Sequence, residues 1–349
     1  MAAKSGKKGA ASGAASVPPG GVILDWLLDE DDPAVRLFAL TRLCGEAEDS
    51  PKAVKARKAL MKAGPVAEIL SRQQKGGYWG EAEKFYTDKY GGTAWQLLVL
   101  AELGADGGDP RVRSAIEFLL ASSQDRESGG FSVEQGAKGG GRPGMVIPCL
   151  TGNMAWAMAR LGYGGDPRIA AAVDWIFEHQ QVRDGIDGPP AGSAHDGRLE
   201  PCFGAHSCFM GVVKTLKALA AIPPKRRSKA AKAKMAELVE FVLVHRVHKK
   251  SHDLSKVSKP GWLKFGFPLM YQTDALEILC VLAELGLRDE RASDAADAIE
   301  AARGGDGRWK MANSFNGKTL VDIERKGEDS KWITARALYA LAGQGRAPA

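Results

Sequence analysis

Three stretches of this chain open alike, and that internal repeat limits the fold more than any other feature of the sequence. Asp32-Pro33-Ala34-Val35, Asp109-Pro110-Arg111-Val112 and Asp166-Pro167-Arg168-Ile169 each set an aspartate before a proline. An aspartate carboxylate accepts an orphan backbone N–H at a helix start, and proline at the first helical position gives up no hydrogen bond. Each pair therefore begins a helix. Arg288-Asp289-Glu290-Arg291 opens a related segment without the proline. A second family of segments ends alike: LVLAELG at 98–104, LCVLAELG at 279–286, MARLG at 158–162 and LYALAG at 338–343. Apolar residues cover most of these helices, so they must be buried on more than one side. The closing glycine suits a left-handed C-cap.

The two families alternate. The pattern predicts Ala53–Gln74 paired with Gly92–Leu103, Arg111–Ser123 with Cys149–Leu161, and Pro167–Gln180 with His206–Ala220. Lys232–His248 then pairs with Tyr271–Leu285, and Glu290–Arg303 with Ser330–Ala342. A further pair covers 21–50, so residues 51–345 form the repeat domain. Strand signals are nearly absent. The fold class is all-α, and wholly apolar second helices favour closure into an α/α toroid of five to six helical hairpins; an open solenoid of the HEAT type is the alternative.

With 44% hydrophobic and 26% charged residues among 349, the chain has the balance of a soluble globular protein. No apolar run approaches the length of a membrane span. Residues 1–20 lack an apolar core segment and read as a disordered basic tail rather than a secretory signal. Five scattered cysteines suit reduced thiols in a cytoplasmic protein. The net charge of +6 is concentrated in two basic clusters, at 225–234 and at 246–264. No nucleic-acid recognition motif accompanies them, so no specific nucleic-acid partner is expected.

One motif narrows the family. Gln73-Gln74-Lys75-Gly76-Gly77-Tyr78-Trp79 carries Q-x-x-x-G-x-W, with Gln73, Gly77 and Trp79 in place at the end of an outer helix. Arg303, Gly307 and Trp309 keep the spacing with arginine for glutamine, while Gln124 with Gly129-Gly130-Phe131 and Gln181 with Gly185 are degenerate copies. The glutamine amide can satisfy backbone groups at the helix end, and glycine permits a tight turn. This resembles the QW repeats of the terpenoid cyclases, which share an α/α toroid with protein prenyltransferase β-subunits. Leu263-Lys264-Phe265-Gly266-Phe267-Pro268 and Ser330-Lys331-Trp332-Ile333-Thr334 also resemble segments of uncharacterised prenyltransferase and squalene-oxidase repeat proteins. The resemblance covers roughly residues 50–345 and implies an isoprenoid or other apolar-anionic small molecule as ligand. The prenyltransferase relationship further implies zinc and a partner subunit. The D-x-C element of those enzymes is missing here, so their ligands cannot be transferred. Asp29-Glu30-Asp31-Asp32 matches the D-x-D-D letters of class II cyclases, but helix capping accounts for these acids.

The repeat makes the two rims of the barrel unequal. Loops from inner to outer helices are short, as at 104–109 and 162–166, whereas those from outer to inner helices (125–148, 181–205, 249–270 and 304–329) are long. Long structureless loops are usually functional or disordered, so a site is expected on the long-loop rim, where the inner-helix N-termini favour anions. Candidate catalytic residues there are His206, Cys208 and Asp274. Cys149, Cys202, His206 and Cys208 are a candidate zinc set, with packing as buried thiols the competing account. Lys250, Lys259, Trp262, Tyr271 and Lys331 are candidate ligand-binding residues: lysines for an anion, aromatic rings for an apolar chain. The same residues could simply cover the barrel end. No P-loop, G-x-S-x-G or H-E-x-x-H motif is present. Two function classes remain, an isoprenoid-type transferase or cyclase and a non-catalytic ligand-binding or protein-interaction scaffold.

Overall fold

The computed structural model of the protein describes residues 21–185 and 199–346; the predicted basic tail lies outside them. The helices run α1 Val22–Leu27, α2 Pro33–Phe38, α3 Pro51–Leu60, α4 Gly64–Ser71, α5 Thr93–Glu102, α6 Pro110–Ser122 and α7 Pro148–Met158. They continue as α8 Pro167–His179, α9 Glu200–Phe203, α10 Phe209–Ala220, α11 Lys229–Val244, α12 Ala275–Glu284, α13 Ser293–Ala301 and α14 Lys331–Gly343. A short antiparallel hairpin, β1 Lys249–Lys250 and β2 Asp253–Val257, forms where the sequence predicts only loop.

The inner helices are α2, α5, α7, α10, α12 and α14. Every residue of α7 is buried, and nearly all of α5 and α10. Each packs on the next in the order α5, α7, α10, α12, α14, α2. The ring closes where Gly104, just past α5, approaches Leu37 of α2 so closely that a Cβ on the glycine would stand 2.8 Å from Leu37 Cδ2. This closure makes the fold an α/α toroid rather than an open solenoid, and the N-terminal pair supplies the sixth inner helix. Around it stand α1, α3 with α4, α6, α8, α11 and α13.

The repeated residues act as fasteners between repeats. Asp32, Asp109 and Asp166 cap their helices as predicted, accepting from the backbone N–H of Val35, Arg111 and Arg168. Arg168 also bonds Glu117 on α6, and Arg291 bonds Glu240 on α11, so each tethers its helix start to the preceding outer helix. The motif glutamines serve the next repeat rather than only their own helix end. Gln73 Nε2 donates to Arg111 O at 2.9 Å, and Gln124 Nε2 to Arg168 O at 2.7 Å. The motif aromatics Trp79, Phe131 and Trp309 donate their backbone N–H to Thr93, Thr151 and Thr334 on the inner helices at 3.1, 2.9 and 3.0 Å.

Two predicted helices are shortened for local reasons. Residues 53–74 break after Leu60 because Pro65 cannot continue a helix through its own position. The third main inner helix starts at Phe209 instead of His206. Residues 205–207 run extended against 183–185, with Gly185 N–H donating to Ala205 O and Ser207 N–H to Arg183 O.

Candidate functional site

A pocket of about 340 Å³ opens on the long-loop rim, lined by Lys259, Trp262, Lys264, Tyr271, Asp274 and Asn313 among others. Four residues singled out from the sequence, Lys259, Trp262, Tyr271 and Asp274, thus meet in one cavity. Trp262 lies on a 3-10 turn, Pro260–Leu263, and packs edge-on against Phe209 with ring centroids 4.5 Å apart. Tyr271 lies parallel to Tyr90, and the Lys89 ammonium sits 4.5 Å from its ring centroid. Asp274 is the N-cap of α12: Oδ1 accepts from Glu277 N–H at 2.8 Å and Oδ2 from Gly266 N–H at 3.1 Å. Burial pushes its carboxyl up to about 7 against these two bonds. A carboxyl in that range can give or take a proton at neutral pH.

Two predicted ligand-binding lysines stand elsewhere. Lys250 is exposed on β1. Lys331 begins α14, where it pairs with Asp29 at 3.4 Å and lies near the Trp26 ring. Asp32 is thus a helix cap, as the sequence indicates, whereas Asp29 is a lysine partner and caps no helix.

The predicted cysteine–histidine set is not assembled. Among the described residues, three ligand-type atoms within 4.8 Å of one another are brought together by Asp184, His206 and His252, a group without cysteine. His206 is drawn away because it lies in the extended segment opposite Asp184 rather than on an inner helix. Cys208 caps α10. Cys149 and Cys202 behave as thiols in an apolar setting: burial pushes both up, Cys202 to about 11.

The interior of the ring holds a group that the sequence reading passed over. Lys214 and Lys217 on α10 bond Glu277 on α12, Lys217 also reaches Glu102 on α5 at 2.5 Å, and Arg336 on α14 bonds the same Glu102. Burial pushes the Glu277 carboxyl up, but the ammonium groups of Lys214 and Lys217 outweigh it and hold the group down at about 2. The lysine at 217 also lies 3.8 Å from the Trp156 ring centroid. The signal was present: a charged residue in a helix apolar all round must be buried and must find a partner. These side chains fill the lumen and leave a cavity of only about 80 Å³ beside Lys217 and Arg336. That is well below the roughly 300 Å³ at which ligand pockets begin.

A further cavity, about 760 Å³, is on the short-loop rim between Glu48, Arg57, Arg113, Arg160 and Tyr163. Glu48 faces Arg42, Arg57 and Arg160 together and Arg42 also reaches Glu284, so the charge of those arginines is answered in part. No helix among the described residues is long and apolar enough to cross a membrane.

No family model and no curated protein matches the sequence. Among solved structures the chain is similar to a protein from Actinoplanes, with 14% identity over 91% of this chain and 90% of the other and a TM-score of 0.43. It is also similar to type II terpene cyclase MstE from Scytonema. A variant of that enzyme in complex with geranylgeranyl dihydroxybenzoate shares 16% identity over 90% of this chain and 87% of its own, with a TM-score of 0.43. The ligand-free enzyme gives 14%, 90%, 88% and 0.41.

Proposed function

We propose that the protein binds a short apolar-anionic molecule, such as an isoprenoid diphosphate, in the long-loop pocket and acts on it with Asp274 as acid–base group. The observation that carries this reading is the convergence of Lys259, Trp262, Tyr271 and Asp274 on one 340 Å³ cavity. Lys259 and Lys264 supply cations for an anionic head. Trp262 and Tyr271 offer rings to an apolar chain, and Asp274 stands at the start of α12, where the helix dipole also favours negative charge. The narrow space of about 80 Å³ beside Lys217 and Arg336 supports a ligand at the mouth of the ring rather than inside it, and a short chain rather than a long one.

Isothermal titration of the full chain with geranyl diphosphate, inorganic diphosphate and geraniol tests the reading. Geranyl diphosphate binds most tightly. Lys259→Ala weakens the two charged compounds and leaves geraniol little changed, while Trp262→Ala weakens geraniol and geranyl diphosphate. Binding that ignores both substitutions would sink the pocket assignment. Retained binding with no turnover of any isoprenoid diphosphate, in the native chain and in Asp274→Asn alike, favours the non-catalytic alternative, which the double backbone bonding of Asp274 also suits.

A further inference from the structure

Three histidines surround one carboxylate oxygen on the long-loop rim. Asp184 Oδ1 lies 3.3 Å from His245 Nε2, 3.7 Å from His206 Nδ1 and 3.8 Å from His252 Nε2. This oxygen is buried and has no hydrogen-bond partner. The four residues come from three parts of the chain. Asp184 and His206 face each other across the extended pair, His245 ends α11, and His252 sits in the turn between β1 and β2.

The tautomer of His245 decides what this arrangement needs. Its Nδ1 lies 2.7 Å from Phe241 O, and a carbonyl oxygen can only accept, so Nδ1 carries the proton. In the neutral ring Nε2 then carries a lone pair 3.3 Å from a carboxylate oxygen that is also an acceptor. Two acceptors 3.3 Å apart repel unless a cation lies between them. A second proton on His245 would answer that contact alone. It leaves His206 and His252 beyond hydrogen-bond distance of the same oxygen. A divalent metal ion answers all of them. Nitrogen and oxygen ligands at about 2.0–2.2 Å in a tetrahedron stand roughly 3.3–3.5 Å from one another; the three nitrogens lie 3.3–3.8 Å from the Asp184 oxygen, and the ligand atoms of Asp184, His206 and His252 already lie within 4.8 Å of one another. His206 and His252 are mostly exposed, with side-chain exposures of 63% and 59%, so their rings can close the remainder. His245 is buried and held by its carbonyl, the outer bond that orients metal-binding imidazoles in general.

The backbone is shaped for the same cluster. Gly185 has φ +83°, and a Cβ there would stand 2.1 Å from His206 Cε1 and 2.3 Å from its Nε2. Only glycine lets His206 lie against Asp184. On the other side Phe209 packs against both His245 and Trp262, so a single ring separates the cluster from the wall of the 340 Å³ pocket.

We propose that Asp184, His206, His245 and His252 form a site for a divalent transition-metal ion of the zinc class, in place of the cysteine-containing set predicted from the sequence. The site stands on its own residues and does not depend on the function proposed for the pocket.

The test is zinc binding by the full chain. The protein is stripped with chelator and titrated with zinc against a chromogenic competitor, and bound metal is counted by native mass spectrometry. One zinc per chain is expected. His252→Ala and Asp184→Asn each weaken it by roughly 100-fold or more, beyond the 10–100-fold that a supporting partner typically costs. The triple variant Cys149→Ser/Cys202→Ser/Cys208→Ser retains native affinity. His252 is exposed and its removal leaves the core intact, which far-ultraviolet circular dichroism checks. A native chain that binds no zinc, native affinity in His252→Ala, or loss confined to the cysteine variant overturns the proposal. Because zinc binding is read without any organic ligand, its outcome is independent of the geranyl diphosphate titration.

Discussion

Lys214 Nζ lies 2.7 and 2.6 Å from the two carboxylate oxygens of Glu277, and both side chains are shut away from solvent inside the ring. The pair sits 63 residues apart in sequence, on α10 and α12. With Lys217, Glu102 and Arg336 it ties four inner helices together through charge. These side chains occupy the interior of the ring beside a cavity of about 80 Å³.

Removing one partner strands the other. Glu277→Gln is expected to destabilise the fold by about 3–5 kcal/mol, because Lys214 is left as an uncompensated buried charge. The double variant Lys214→Met/Glu277→Leu, of similar volume, is expected to recover most of that loss. Urea unfolding of the three chains measures both changes, and equal stability of the single and double variants contradicts this account.

The acid limb of stability follows from the same carboxylate. The folded-state value for Glu277 is about 2 against an ordinary 4.5. A lowered value contributes stability that is complete above the unfolded value and is lost as the pH falls through the folded one. The stability difference between the native chain and Glu277→Gln should therefore shrink between about pH 4.5 and 2. Asp274 acts with the opposite sign. Its value rises from 3.8 to about 7, so its contribution is full below 3.8 and is lost as the pH climbs through 7. Relative to Asp274→Asn, the native chain should lose stability between pH 4 and 8. Thermal midpoints across these ranges, each compared with its variant, read the two slopes.

Gly77 and Trp79 carry the most complete copy of the repeat motif. Gly77 has φ +88°, and a Cβ there would meet Ser114 O at 2.4 Å. Trp79 is buried and donates Nε1–H to Ile69 O at 2.8 Å. Trp79→Ala should cost about 3–5 kcal/mol, and Gly77→Ala about 1–3 kcal/mol through strain at a positive φ. Guanidinium unfolding midpoints test both, and a neutral Gly77→Ala would show that the turn can relax.

Gly185→Ala addresses the metal site without touching a ligand. A methyl group in the space of the His206 ring should push that ring off Asp184 and lower zinc affinity by roughly 10-fold or more. The positive φ at 185 should also cost the metal-free chain about 1–3 kcal/mol through strain, so affinities are compared at a temperature where both chains are folded. Unchanged zinc affinity would show that His206 is not needed there.

Local patterns determined the helices, and the reason is short range. Asp109-Pro110 and Asp166-Pro167 satisfy their own helix starts within three residues, and the buried faces of α5 and α12 are visible in the segments LVLAELG and LCVLAELG. The alternation of helices, the unequal rims, and the pocket holding Lys259, Trp262, Tyr271 and Asp274 were legible in this way. Closure of the ring decided what remained. Only when α14 and α2 return to α5 does Glu102 meet both Lys217 and Arg336, turning an apolar lumen into a packed charge network. Likewise His206 looked like part of a helix start beside cysteines. Pairing of 205–207 with 183–185 made it extended and gave it Asp184 and His252 as neighbours. Hydrogen bonds between segments distant in sequence leave no periodic trace, so that choice belonged to the tertiary structure.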